Sequence, residues 1–162
     1  MANVFHPEWQ FEINEPPFLN RVARVGDQAG AERLGASVYE IEPGGRASPL
    51  HVHRANEELI IVLAGSPTLR TADESRQLVP GEVVACLPGR RGAHTLHNAT
   101  EDSVRVLIVS TMIYPEVCEQ LDSGKVLVLT APPRRAGDDD LLLAFRRDDA
   151  VDPAEGEVTP DQ

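Results

Sequence analysis

Residues 45–65 read GRASPLHVHRANEELIIVLAG and hold the most informative pattern in the chain. Side chains at positions i and i+2 of a β-strand point to the same face, so His51 and His53 project together. After a turn-like interruption, a β-rich apolar run begins at Glu58, whose carboxylate lies at the end of an apolar face. A buried acid costs free energy unless it is paired or bound to a metal. The stretch therefore predicts two strands that carry two imidazoles and one carboxylate to a shared site.

Residues 81–98 read GEVVACLPGRRGAHTLHN and add a third imidazole. Strand parity places His94 on the same face as Leu96, whereas His97 faces the other way and is interpreted as an outward-facing residue. Imidazole and carboxylate ligands together suit divalent first-row metals. We therefore predict one metal site, formed by His51, His53, Glu58 and His94.

The two stretches resemble the two sequence motifs of the cupin superfamily. Gly45, His51, His53, Glu58 and Gly65 fit the first motif without a gap. The resemblance implies a small single-domain cupin with an all-β fold, a double-stranded β-helix or jelly-roll barrel. It also implies one divalent transition metal held by the four residues named above.

The second motif fits with two departures. Gly81, Gly89, His94 and Asn98 match it, but Leu87 stands where the family has a proline. Four residues rather than two separate Gly89 from His94. We expect a longer glycine-rich loop to accommodate this difference.

Three questions about the site stay open at this point. Glu57 competes with Glu58, although the six-residue spacing from Glu58 to Gly65 favours Glu58 as the ligand and Glu57 as a solvated acid. Some cupins keep the histidines and bind no metal. The identity of the metal is open as well, because this ligand set accepts iron, manganese, nickel, zinc or copper.

The length of 162 residues suits one domain with a core of its own. The 13 prolines and 12 glycines are spread between short apolar runs, as in an all-β barrel or sandwich. We divide the chain into an N-terminal arm (residues 1–34), a cupin barrel (residues 35–130) and a C-terminal extension with an acidic tail (residues 131–162).

The coarse pattern also predicts the individual elements. Strands are expected at residues 21–25, 36–41, 50–53, 58–64, 68–71, 76–79, 83–87, 94–98, 104–111, 125–129 and 141–145. One short helix is expected at residues 115–121, and residues 132–140 are expected to form a linker.

The net charge of −11 is concentrated near the C-terminus, where residues 138–162 carry nine acidic and two basic side chains. We interpret this segment as a solvated tail. The absence of a basic stripe argues against nucleic acid as a partner, and no apolar run has the length of a membrane span. The N-terminus lacks the features of a signal peptide, and two cysteines are too few for a disulfide framework. We therefore expect a cytoplasmic protein, in which Cys86 serves packing rather than metal binding.

The favoured function is a metal-dependent small-molecule enzyme of the dioxygenase, isomerase or lyase type, as the resemblance implies. The alternative is a non-catalytic cupin that binds or senses a metal or a small ligand. The catalytic residues are not assigned, although Glu57, Tyr39 and Tyr114 are candidates for acid–base work. We also expect a homodimer, because exposed sheet edges are usually covered. Residues 9–11 and 125–129 are the candidates to cover an edge, within or between chains.

Overall fold

The computed structural model describes residues 1–132 and 136–157. Within these residues the chain forms antiparallel β-structure with one short helix and two 3-10 turns. The strands are β1 (Phe11–Glu15), β2 (Phe18–Ala23), β3 (Gly35–Ile41), β4 (His51–His53), β5 (Glu58–Ala64), β6 (Thr68–Arg70), β7 (Ser75–Gln77), β8 (Val83–Cys86), β9 (Thr95–His97), β10 (Val104–Ser110), β11 (Glu116–Gln120), β12 (Lys125–Leu129) and β13 (Leu142–Arg146). The helix is α1 (Val25–Ala29), and the 3-10 turns span Arg90–Gly92 and Arg147–Asp149.

Three sheets enclose the interior of a barrel. The largest has the order β1-β2-β3-β10-β5-β8, the second has the order β13-β12-β11-β4, and the third has the order β7-β6-β9. Two isolated β-bridges join the third sheet to its neighbours. Arg46 pairs with His97 at the end of β9, and His51 of β4 pairs with His94, the residue directly before β9. The expectation of an all-β fold is confirmed.

One end of the barrel interior is filled with aliphatic side chains, and we call it the closed end. Alternate residues of the central strands point inward there, as the strand period requires. The side chains are buried and leave no polar group to satisfy, apart from a thiol. The closed end consists of Ile41, Ile60, Val62, Leu69, Leu78, Cys86, Leu96, Val104 and Val106. Cys86 belongs to this cluster, and its thiol also forms a hydrogen bond with His94.

The other end of the interior is polar, and we call it the open end. The same strands β3, β5 and β10 continue into it, but their inward-facing residues are now small or hydrophilic. The open end consists of Gly35, Ser37, Tyr39, Glu58, Ile108 and Ser110, which line a cavity. The closed end thus supplies the packing, and the open end surrounds a cavity.

The N-terminal residues cover the outer face of the largest sheet. A second apolar cluster forms there around Val38, with Trp9 among the side chains packed against it. The guanidinium of Arg21 lies 4.3 Å from the Trp9 ring centroid, and Arg21 also pairs with Glu40. The strand expected at residues 21–25 in fact spans Phe18–Ala23, and β1 and α1 were not predicted. The predicted N-terminal arm therefore contributes β1 and β2 to the largest sheet. Its boundary at residue 34 stays a prediction.

The helix predicted at residues 115–121 is wrong. Residues Glu116–Gln120 are strand β11, which pairs with β4 on one side and with β12 on the other. Both neighbours offer backbone hydrogen bonds, and this tertiary context overrides the local preference of a short segment. The error matters, because β11 faces the histidines of β4.

The C-terminal hairpin is formed by β12 and β13. The strand expected at residues 125–129 is confirmed as Lys125–Leu129, and it is covered within the chain by β13. β1 covers the edge of β2 in the same way. Part of the predicted linker, residues 133–135, and the end of the predicted tail, residues 158–162, lie outside the described residues. Over the described ranges, no helix has the length and apolar character needed to cross a membrane.

Candidate metal centre

The candidate ligands come together where β4 meets β5 and the loop before β9. His51 and His53 lie on the same face of β4, and the backbones of His51 and His94 bond to each other in both directions. Glu58 is the first residue of β5 and points into the barrel beside buried Ile60. The local cause is the parity of each strand, since all four residues occupy inward-facing positions.

Potential donor atoms of His51, His53 and Glu58 lie within 4.8 Å of one another, and His94 adjoins this group through Glu58. His51 Nε2 lies 3.1 Å from His53 Nε2. Glu58 Oε2 lies 3.4 Å from His53 Nε2 and 3.1 Å from His94 Nε2. The structure thus brings together His51, His53 and Glu58, with His94 in contact with Glu58. Their role as metal ligands stays a prediction.

The opposite nitrogen of two of the rings is held by the backbone. His51 Nδ1 lies 2.9 Å from the carbonyl oxygen of Pro49, and His94 Nδ1 lies 2.9 Å from that of Gly92. A carbonyl oxygen can only accept a hydrogen bond, so Nδ1 carries the proton in both rings. In the neutral form that metal binding requires, each ring would therefore offer its lone pair on Nε2, the atom that points to the cluster.

The spacing of these atoms fits a metal ion. Two nitrogen ligands about 2.1 Å from a metal lie about 3.0 Å apart at a right angle and about 3.4 Å apart at a tetrahedral angle. The observed separations of 3.1, 3.4 and 3.1 Å fall in this range. The donor set of three imidazoles and one carboxylate is also one that divalent transition metals accept.

His53 has partners that the sequence analysis missed. Its Nδ1 lies 3.3 Å from the Cys118 sulfur and 3.6 Å from Glu116 Oε2. Both partners lie on β11, the segment that was predicted as a helix, and Cys118 stands directly opposite His53 in the strand pairing. The signal that could have revealed them is the alternation of residues 116–120, with Glu116 and Cys118 on one face of a strand.

Glu116 also orders the loop between β4 and β5. Its carboxylate accepts hydrogen bonds from the backbone N–H groups of Arg54 (2.9 Å), Ala55 (3.2 Å) and Asn56 (3.1 Å). The Asn56 side-chain amide donates to it as well. One buried acid therefore sets the distance between the strand of His53 and the strand of Glu58.

The charge states of the metal-free cluster follow from burial and from these contacts. Burial, together with the charges of His94 and His53, lowers the pKa of His51 to about 4. Burial alone would also lower the pKa of His53, but its hydrogen bonds to Cys118, Glu116 and Glu58 outweigh burial and raise it. Burial by itself would raise the pKa of Glu58, but hydrogen bonds from His53 and His94 hold it well below its usual range. The cluster thus holds protons that a bound metal would displace.

The loop that presents His94 explains the departures from the second motif. A side chain at Gly92 would place its Cβ 1.8 Å from the Leu87 carbonyl oxygen, so this close approach requires glycine. Gly92 also supplies the carbonyl that holds the His94 ring. The two extra residues after Gly89 therefore form a tight turn, Arg90–Gly92, that still aims His94 at the cluster.

A cavity of about 400 Å³ opens onto this cluster. Its inner wall is formed by His53, Glu58, Tyr39, Tyr114, Glu116 and Cys118. Its mouth is formed by side chains of and around α1, including Arg24 and Asp27, and by apolar residues such as Leu34 and Met112. Burial, together with the negative charge of Glu58, raises the pKa of Tyr39, so its phenol stays protonated at neutral pH.

Two residues that were weighed for the site, Glu57 and His97, lie elsewhere. Glu57 is exposed, and its backbone N–H bonds to the Thr111 hydroxyl. His97 lies at the end of β9, in a bridge to Arg46 and away from the other histidines. These placements agree with the interpretation of both residues as bystanders.

A family model for the cupin domain matches residues 37–110. This chain carries a cupin domain. The double-stranded β-helix that the sequence motifs implied is thereby confirmed, and the polar and apolar ends described above are the two ends of the cupin barrel.

Solved cupin structures share this architecture. A sugar phosphate isomerase of the cupin superfamily from Silicibacter pomeroyi is 22% identical, with a TM-score of 0.77 over 93% of this chain and 94% of that chain. A proposed sugar phosphate isomerase from Acidithiobacillus ferrooxidans is 23% identical, with a TM-score of 0.69 over 96% and 90%. A polyketide cyclase from Streptomyces resistomycificus is 24% identical, with a TM-score of 0.56 over 68% and 77%. Among curated proteins, none matches the chain. At these identities the likeness shows the fold.

Proposed function

We propose that this cupin is a metal-dependent enzyme for a small molecule, with His51, His53, Glu58 and His94 as the metal ligands. The observation that carries the proposal is the arrangement of the three imidazoles. The Nε2 atoms of His51 and His53 lie 3.1 Å apart beside Glu58, and His94 Nε2 lies 3.1 Å from the Glu58 carboxylate, while backbone carbonyls hold the far nitrogens of His51 and His94. A hydrogen-bond partner on the far nitrogen is the usual companion of a metal-binding histidine.

The cavity supports turnover rather than mere storage of a metal. A divalent cation at this cluster would supply Lewis-acid chemistry to an oxygen atom of a substrate. Tyr39 and Tyr114 line the same cavity, and among the described residues neither hydroxyl has a protein hydrogen-bond partner. Burial raises the pKa of both phenols, so each keeps a proton that it can donate to a substrate oxygen. We assign them the role of substrate-contacting hydrogen-bond donors.

The reaction type is best tested among isomerases first. The Silicibacter pomeroyi structure, which matches along nearly the full length of both chains, is named a sugar phosphate isomerase. Arg24 at the cavity mouth offers a cation for an anionic group of such a substrate. Phosphosugars are therefore the first compounds to assay, followed by phenolic and thiol compounds with dioxygen.

A module that holds a metal or ligand without turnover is the second candidate. One observation favours it: both carboxylates beside the histidines, Glu58 and Glu116, are already engaged in hydrogen bonds. Neither is left as a ready general base. Tight metal binding without activity toward any of these compounds would favour this second function.

The test uses untagged protein, because a histidine tag brings its own metal. After reconstitution and dialysis, elemental analysis should give about one divalent metal per wild-type chain. The variants His51→Ala and Glu58→Gln should lose it, whereas the matched controls His6→Ala and Glu57→Gln, both at exposed positions, should retain it. Wild-type protein that holds no first-row metal would overturn the metal-dependent enzyme and the metal sensor together.

A further inference from the structure

The ring of His53 meets a second group of potential ligands on the side away from Glu58. Its Nδ1 atom lies 3.3 Å from the Cys118 sulfur and 3.6 Å from Glu116 Oε2. Ligand atoms of these three residues all lie within 4.8 Å of one another. Over residues 1–132 and 136–157, the only other such group is that of His51, His53 and Glu58. His53 therefore belongs to both groups, and it offers a different ring nitrogen to each.

The spacing of the second group suits a tetrahedral cation that accepts thiolate. Zinc binds nitrogen at about 2.0–2.1 Å, oxygen at about 2.0–2.2 Å and thiolate sulfur at about 2.3 Å. At a tetrahedral angle, these lengths set nitrogen about 3.6 Å from sulfur and about 3.3 Å from oxygen. The observed separations of 3.3 and 3.6 Å therefore depart only slightly from those of a bound ion. Small rotations of the Cys118 and Glu116 side chains are enough to close this difference.

Cys118 and Glu116 are held in place by the fold. Cys118 lies directly opposite His53 in the pairing of β11 with β4, so the backbone keeps its thiol beside the ring. Glu116 Oε1 accepts the Arg54 N–H at 2.9 Å, and Glu116 Oε2 accepts the Asn56 N–H at 3.1 Å. Carboxylates that bind a metal are usually hydrogen-bonded in this way to groups around the site. The loop thus orients the Glu116 carboxylate for a cation at His53 Nδ1.

The second group also borders the cavity, whereas part of the first group does not. His53, Glu116 and Cys118 line the cavity of about 400 Å³, but neither His51 nor His94 is among its lining residues. A cation bound by three protein ligands at this position would keep a fourth coordination position directed at the cavity. Three protein ligands and one open position are the arrangement of catalytic zinc sites, whereas structural sites are closed by four.

We propose that His53 Nδ1, Glu116 and Cys118 form a second metal site, for a divalent cation that accepts thiolate, such as Zn²⁺ or Cd²⁺. A thiolate ligand favours such cations over manganese, so the two sites differ in the metals that they prefer. The second site does not rest on the metal centre proposed above. When that centre is empty, the Nε2–H of His53 can donate to Glu58 Oε2, 3.4 Å away, and Nδ1 keeps the lone pair.

When both sites are filled, the ring of His53 bridges two cations. Binding of the second cation then removes two protons, one from the Cys118 thiol and one from the last ring N–H of His53, whereas the Glu116 carboxylate is already ionised. No electron is transferred, and two positive charges replace two others, so the net charge of the buried cluster is unchanged. Since both protons must leave, the second cation is held more weakly than the first, and its affinity rises with pH. We therefore expect dialysis to remove it, in agreement with the one metal per chain expected after that step.

Titration of the untagged full chain with Cd²⁺, without dialysis, tests the site. Thiolate bound to cadmium absorbs in the ultraviolet by charge transfer, so the absorbance counts the sulfur ligands. Wild-type protein should develop the absorbance of one thiolate per chain, and Cys118→Ala should abolish it. The matched control Cys86→Ala should keep it, because Cys86 is the other buried thiol and also bonds to a histidine. No such absorbance in the wild type at excess Cd²⁺, or one that survives Cys118→Ala and disappears in Cys86→Ala, would overturn the proposal.

A variant of the first site separates this proposal from the proposed function. His51→Ala should lose the metal that survives dialysis but keep the thiolate absorbance with Cd²⁺, because His51 is not a ligand of the second site. A wild-type chain that retains one metal through dialysis yet shows no thiolate absorbance would refute the second site alone. A chain that retains no metal yet shows the absorbance would refute the metal-dependent function and support the second site.

Discussion

The closed and open ends of the cupin barrel are built on the same three strands, β3, β5 and β10, yet they are held together differently. Inward-facing residues change along each strand from aliphatic to polar or small: Ile41 to Ser37 on β3, Ile60 to Glu58 on β5, and Val106 to Ser110 on β10. At the closed end close packing of buried side chains stabilises the fold. Near the open end the histidine side chains are positioned by the hydrogen bonds that they make to side chains of β11 and to carbonyl oxygens of loops.

Within each of these strands, the residues at the closed end therefore stabilise the fold, and the residues at the open end line the cavity. Removing a buried methylene at the closed end leaves a cavity that its neighbours cannot fill. Of the candidate ligands, His53 and Glu58 border a cavity that already exists, so removing either side chain enlarges existing space. The comparison therefore predicts that the free energy of unfolding and the affinity for metal respond to different residues, and four measurements test this.

The largest loss of stability is expected from Ile60→Ala at the closed end. Ile60 is fully buried, and such truncations lower the free energy of unfolding by about 2–5 kcal/mol. The matched control is Leu59→Ala, since the neighbouring side chain is 38% exposed and points outward. Urea unfolding measures the change. The metal content per folded chain should stay at the wild-type value in both variants, and a loss of metal in Ile60→Ala would contradict the separation of the two ends.

Glu116→Gln is expected to cause an intermediate loss of stability and also a loss of metal affinity, because Glu116 contacts both the loop before β5 and the ring of His53. A glutamine amide would turn an N–H₂ group toward the donors of the loop at residues 54–56, and an unsatisfied buried polar group costs about 1–3 kcal/mol. Metal affinity should fall about 10–100-fold, as for other hydrogen-bond partners of metal-binding histidines. Competition with a metal-binding dye, at a temperature where the variant is folded, measures the affinity. An unchanged affinity would exclude Glu116 from the site.

A smaller, pH-dependent change in the free energy of unfolding is expected for Glu40→Gln, on the outer face of the largest sheet. Burial by itself would raise the pKa of Glu40, but hydrogen bonds from Arg105 and Arg21 outweigh it and lower the pKa below its ordinary value. A carboxyl with a lowered folded-state pKa stabilises the fold above its unfolded-state pKa. That stabilisation is lost as the pH falls through the folded-state value. Between neutral and strongly acidic pH, Glu40→Gln should therefore lose less stability than the wild type. Urea unfolding at several pH values measures this. If the free energy of unfolding fell equally with pH in the wild type and in Glu40→Gln, these ion pairs would not contribute to stability.

The smallest change in stability is expected for His51→Ala in metal-free protein, at the open end. The thermal midpoint should stay within several degrees of the wild type, because the packing of the closed end is untouched. Metal should raise the midpoint of the wild type by mass action and leave that of the variant unchanged. His6→Ala serves as the control and should respond to metal like the wild type. A much lower thermal midpoint in the metal-free variant would show that the side chains of the candidate metal site also stabilise the fold.

Local sequence was sufficient for the elements whose pattern is strong. β5 and β12 were predicted to the residue, and the six-residue motif spacing to Gly65 favoured Glu58 over Glu57. The reason is that side chains of one strand alternate between two faces, so an apolar run identifies its own inward-facing members. The same parity brought His51 and His53 to one place, and the motif spacing added His94.

Tertiary structure alone decided what lies across from those residues. Glu116 and Cys118 are more than sixty positions from His53 in sequence, and only the pairing of β11 with β4 brings them to its ring. A five-residue segment such as residues 116–120 has little conformational preference of its own, so it takes the form its neighbours' backbone groups dictate. The sequence determined which side chains point inward, whereas strand pairing, a matter of long-range hydrogen bonds, decided which of them meet.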